Sequence, residues 1–189
     1  MELKEGKINR VETYIFGLLF IAVSLVLFWK CRYGYAHLDE AFYPTIAYRF
    51  IQGDAILYDE WNNTQLASLL LVPFLKVYIA LKGNLDGIYL TIRYAYTVLK
   101  MLIALLIYNK LKHFNRRGSM ISSLMFLCFA GYGLMVLSYN SIASGGLLCS
   151  LLFLINKESD SSIKKTIYYI LSGVSLSVAV LAIPYLAIM

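Results

Sequence analysis

Residues 14–30 read YIFGLLFIAVSLVLFWK, and how that run ends decides the fold. It carries no charged residue before Lys30. As a helix it would cover about 25 Å, close to the hydrocarbon thickness of a bilayer. A basic start followed by an apolar run also describes a secretory signal. No small-residue cleavage site follows, however, and Trp29, Lys30 and Cys31 form the edge expected where a retained helix meets lipid headgroups. The segment therefore reads as a first membrane span.

Four more apolar runs follow, at 87–108, 120–137, 141–155 and 167–188. The run at 141–155 is short for a bilayer unless it extends through the break at Ser138-Tyr139-Asn140. Pro184 lies near the end of the last, where a kink is tolerable in lipid. The pattern predicts an all-α polytopic membrane protein with about five transmembrane helices, forming one membrane domain over 1–189. The chain stops just past its last span, which suggests an incomplete domain, completed by a missing carboxy-terminal half or a partner subunit.

Composition agrees with that class. Hydrophobic residues are 60% of the chain, charged residues 15%, and the mean hydropathy is +0.67. A soluble fold of this size has too little interior to hide so much apolar surface. The 16 tyrosines and two tryptophans suit the headgroup layer. The formal charge of +6 is no sign of nucleic acid, because Lys110, Lys112, Arg116 and Arg117 cluster beside a hydrophobic run, where they face anionic lipid. Cys31, Cys128 and Cys149 are too scattered for a disulfide framework or a metal spacing. Nothing resembles a nucleotide-binding loop.

Charge bias sets the expected topology. Residues 31–65 hold five acidic and two basic residues, a net of −3, whereas 109–118 hold four basic residues and no acidic one. Basic loops stay cytoplasmic. This places the amino terminus inside, residues 31–85 outside and 109–118 inside, in a multi-pass protein of the cell membrane. The run at 66–81, LASLLLVPFLKVYIAL, is the awkward piece, with Pro73 and Lys76 inside it. Crossing alone, it would put both loops on one side, so it reads as an interfacial or re-entrant helix; the alternative is a sixth span.

The outer loop is where chemistry would sit. Over 39–52, Phe42, Tyr43, Ile46, Ala47, Phe50 and Ile51 recur at helical spacing opposite Thr45, Arg49 and Gln52, which predicts an amphipathic helix lying apolar face down on the membrane. Asp39 and Glu40 begin it. They read either as a cap and a dipole-stabilised neighbour, or as carboxylates that accept a proton or help hold a divalent ion near a lipid-linked phosphate. His37 could tune Asp39 or line the cavity, and a plain loop histidine is the commoner reading. Asp59-Glu60 reads as a solvated loop. Asp86 starts the second span. Arg93 lies two turns into it and either snorkels outward or meets a loop carboxylate or a substrate phosphate. Lys76 has the same options. Asn140 either lines the same cavity or belongs to a plain turn. Asn62-Asn63-Thr64 fits a glycosylation acceptor, a triplet too common to say much.

His37-Leu38-Asp39-Glu40-Ala41-Phe42-Tyr43 after a first span, an amphipathic helix with Arg49 and Gly53, a Pro-containing hydrophobic helix, and a span bearing Arg93 and Tyr94 together resemble the amino-terminal part of the GT-C membrane glycosyltransferases. That group includes protein O-mannosyltransferases and the lipid A aminoarabinose transferase. The resemblance implies transfer of a sugar from a polyprenyl-phosphate carrier to an acceptor on the outer side. It implies Asp39 as the acidic catalytic or metal-linked residue, with Glu40 beside it and Arg93 as a charge partner. Tyr139-Asn140-Ser141 is loosely similar to a short outer connection of the group. Its members have many more spans, so the donor pocket is expected to be incomplete here. The rival reading is a non-catalytic membrane subunit or small transporter component.

Overall fold

The computed structural model describes residues 2–34, 37–59, 65–129, 137–155 and 161–188, with side chains from residue 10 and, in the second stretch, from residue 40. Among the described residues the chain is helical and contains no strand. The helices are α1 (Glu2–Lys30), α2 (His37–Gln52), α3 (Leu66–Leu69), α4 (Val72–Lys82), α5 (Ile88–Leu111), α6 (Arg116–Cys128), α7 (Tyr139–Leu154) and α8 (Ser162–Ala182), followed by a 3-10 turn at Pro184–Ala187. Three of them are long and apolar enough to cross a membrane: Arg10–Lys30 of α1, all of α5 and all of α8. The shorter α7 is also apolar.

The long helices pack in antiparallel pairs. Phe16 of α1 stacks on Tyr108 of α5 while Cys31, at the far end of α1, meets Thr97. Ser123 of α6 donates to the Ala104 carbonyl of α5 at 2.7 Å. Ser150 of α7 and Ser172 of α8 bond each other, Oγ to Oγ at 2.9 Å, and Ser172 also reaches the Ser150 carbonyl. One end of the bundle thus collects the start of α1, the end of α5 and the start of α6, with Arg117 on Glu12 and Arg116 on Thr13. Lys110 there donates to the Ile155 carbonyl and lies over the Tyr168 ring. α2, α3 and α4 gather at the opposite end, so the basic and acidic loops fall at opposite ends of the molecule.

Several helix limits differ from those read in the sequence. The run at 120–137 becomes α6, which begins at Arg116 because the Asn115 side chain accepts from the Gly118 N–H, and leaves helical geometry at Phe129. Residues 130–136 lie outside the described residues. The run at 66–81 divides at Leu70 and Leu71 into α3 and α4, of 4 and 11 residues. Neither piece approaches the length of a span. Pro73 sits in the first turn of α4, where its missing N–H has no helical partner to lose. α8 ends at Ala182 because Ile183, preceding Pro184, is forced out of the helical region.

α2 departs from expectation in what covers it. Tyr43, Ile46 and Ala47 are buried and Thr45 and Gln52 exposed, as the periodicity requires. The apolar face is covered by protein, however: Tyr43 and Ala47 share a cluster with Ala67, Leu71 and Leu75 of the α3–α4 segment and with Ile92, Ile142 and Ala182 from the ends of α5, α7 and α8. Sequence periodicity marks a face to bury without saying whether lipid or protein will cover it.

Candidate functional site

The site grows from Arg93. Five residues into α5, its guanidinium lies within reach of the end of α1 and the start of α2. Nη1 donates to the Cys31 carbonyl at 2.8 Å and to that of Tyr33 at 3.4 Å, and Nη2 to that of Gly34 at 2.6 Å. All three carbonyls lie just past the end of α1, where the helical hydrogen-bond ladder has stopped. Nε and Nη2 also grip Glu40, Nε on one carboxylate oxygen and Nη2 on the other at 2.7 Å. The side chains are 9% and 5% exposed, so this is a buried, bidentate ion pair. A planar fork with five donors suits this set of acceptors as a lysine would not.

Surrounding contacts hold the hub in place. Thr97, one turn deeper, donates to the Arg93 carbonyl at 2.9 Å and lies 3.2 Å from the buried Cys31 Sγ. Arg32 donates from Nε to the Tyr94 hydroxyl at 3.3 Å, a bond that holds its guanidinium pKa above the ordinary value. Phe28 packs beside the same tyrosine. The end of α1 and the start of α2 are therefore held against α5 through both charge and packing.

The other candidate residues are more dispersed. Of the outcomes open to Arg93, snorkelling or meeting a loop carboxylate or a substrate phosphate, the structure has a carboxylate partner, Glu40. The backbone of His37 and Asp39 forms the first turn of α2, and their side chains lie outside the described residues. Lys76 is exposed on α4 and Asn140 is exposed in the first turn of α7. Neither joins the Arg93 cluster, although Tyr139 beside Asn140 lies 6.0 Å from Tyr43, ring to ring. Asp59 accepts from the Ala55 N–H and closes a turn, and Asp54 pairs with Arg49 at 2.5 Å. The Asp86 carbonyl receives Tyr78 and Lys82. Glu60, Trp61 and the Asn62-Asn63-Thr64 triplet lie outside the described residues.

Among the described side chains no three His, Cys, Asp or Glu residues converge, and both Glu40 oxygens are engaged by Arg93. Asp39, the residue expected to be metal-linked, is not among those side chains. One buried ionisable residue escaped the sequence reading altogether. Lys100 is buried midway along α5 and donates to carbonyls at the end of α6. The signal was available, since a lysine at the centre of an apolar run calls for a partner. No family model, curated protein or solved structure matches the chain.

Proposed function

We propose that the chain is a multi-pass membrane domain of the GT-C glycosyltransferase kind, acting on a polyprenyl-phosphate sugar at the outer face of the cell membrane. The observation that carries this reading is the buried Glu40–Arg93 pair. It anchors the first turn of α2 against α1 and α5, the turn whose backbone includes Asp39. The three apolar helices support a membrane location. The opposed acidic and basic ends support an amino terminus in the cytoplasm and the α2–α4 layer outside.

In this mechanism the acceptor hydroxyl or amine attacks the anomeric carbon. A new bond to the sugar forms as the bond to the carrier oxygen breaks, and polyprenyl phosphate departs with the electron pair. Asp39 takes the acceptor's proton. Glu40 and Arg93 serve as positioning residues, because each is already spent on the other. Lys76, exposed on α4, steadies the leaving phosphate.

A second reading, a non-catalytic subunit or transporter component, is favoured by one specific observation. Both buried cations of α5, Arg93 and Lys100, have partners within the chain, which a purely structural bundle would also require.

Transfer of a radiolabelled sugar from polyprenyl phosphate, in membranes containing the chain with or without Asp39→Asn, separates the two. Loss of transfer in the variant at equal expression supports the glycosyltransferase. Equal transfer by both forms removes Asp39 from the mechanism, and no transfer by either across a panel of donors favours the subunit.

A further inference from the structure

Lys100 is the buried charge that the proposed reaction leaves unused. α6 begins at the basic end of the bundle and spans 13 residues, about 20 Å, so it stops near mid-depth. Lys100, twelve residues into the 24-residue α5, lies at the same depth. The last turn of a helix leaves carbonyls without intrahelical partners and carries a partial negative charge. Here Nζ of Lys100, a residue 2% exposed, donates to the Leu127 carbonyl at 3.1 Å and to that of Phe129. The Phe126 ring lies 5.8 Å from the same ammonium. One turn away, the Ser123–Ala104 bond fixes the register of the two helices.

An ammonium offers three donors and no acceptor, which matches a set of main-chain oxygens. Carbonyls at the ends of interrupted helices are also the ligands that hold small cations in discontinuous membrane helices. We infer that the broken end of α6 is a main-chain carbonyl site for a monovalent cation, filled by the tethered ammonium of Lys100, and that cutting the tether opens it to a free primary ammonium ion. The inference rests on α5 and α6 alone and is independent of the glycosyl-transfer reading.

The test is the thermal unfolding midpoint of the full chain in lipid nanodiscs. Lys100→Ala removes the atoms that n-propylammonium would restore, and tetramethylammonium serves as a cation of equal charge with no N–H. The expected result is a fall of about 5–10 °C in the variant, from carbonyls left unpaired. Propylammonium should recover at least half of it, tetramethylammonium none, and the unsubstituted chain should respond to neither. A variant as stable as the unsubstituted chain overturns the inference, as does a loss that propylammonium leaves unrepaired or that both cations repair equally. If the alanine variant does not accumulate, Lys100→Arg and Lys100→Met decide: arginine, which keeps a tethered cation, should exceed methionine in midpoint, and failure to exceed it overturns the site.

Discussion

Arg93 gives its guanidinium to three carbonyls of one segment and a carboxylate of the next, so neither charge nor shape alone accounts for it. Glu40→Gln leaves that buried cation without its anion and should destabilise the fold by about 3 kcal/mol. Arg93→Lys keeps the charge and loses the fork, so it should also destabilise, by about 1–3 kcal/mol. The paired change Glu40→Leu with Arg93→Met leaves no buried charge and should be milder than Glu40→Gln. Unfolding of the four forms in the same detergent checks the order; a double variant weaker than either single one would mean that packing, not charge, holds the corner. Arg93 was legible in the sequence as a charge needing a partner. Which loop carboxylate it would meet was not, because 53 positions separate it from Glu40 and their contact depends on how α2 packs against α5.

Midway along the α7–α8 pair, small residues let the backbones approach closely. A Cβ built on Gly146 would lie 2.8 Å from the Ser175 carbonyl and 3.1 Å from the Ala179 backbone nitrogen. The backbone itself must yield, so Gly146→Ala should destabilise the pair by about 1–3 kcal/mol and Gly146→Leu by more. Ser172→Ala removes two interhelical hydrogen bonds, to the Ser150 hydroxyl and carbonyl, and should lose roughly 0.6 kcal/mol for each. The measurement is unfolding of each variant, and a serine change as damaging as the glycine change would contradict packing as the main term. The sequence showed α7 as a short apolar run with adjacent glycines at 145 and 146. Which glycine faces α8 depends on how the two helices are rotated, and Gly145 instead lies against Ile103 of α5.

Across the whole molecule, the acidic and basic loops stand at opposite ends because α5 separates them. Tyr58→Cys, in the exposed turn after α2, should react with a membrane-impermeant maleimide on intact cells. Lys112→Cys, just beyond α5, should react only after permeabilisation. The reverse pattern would invert the orientation. Labelling of both from one side would require a further crossing between residues 58 and 112, which α3 and α4 are too short to supply as helices.

The sequence by itself determined the class of structure: helices built on long apolar runs, with charge divided between the loops. Five such runs read as spans, and three of the described helices are long and apolar enough to cross a bilayer. Hydropathy and helical period are local properties, and local composition states them directly. It also marked Tyr43, Ile46 and Ala47 as a face to be buried and Arg93 as a charge to be satisfied. The tertiary structure alone decided that protein covers that face, that Glu40 satisfies that charge, and that α6 stops where Lys100 can receive it. Each of these joins residues distant along the chain, and a buried polar group accepts whichever partner the packing brings within hydrogen-bond reach.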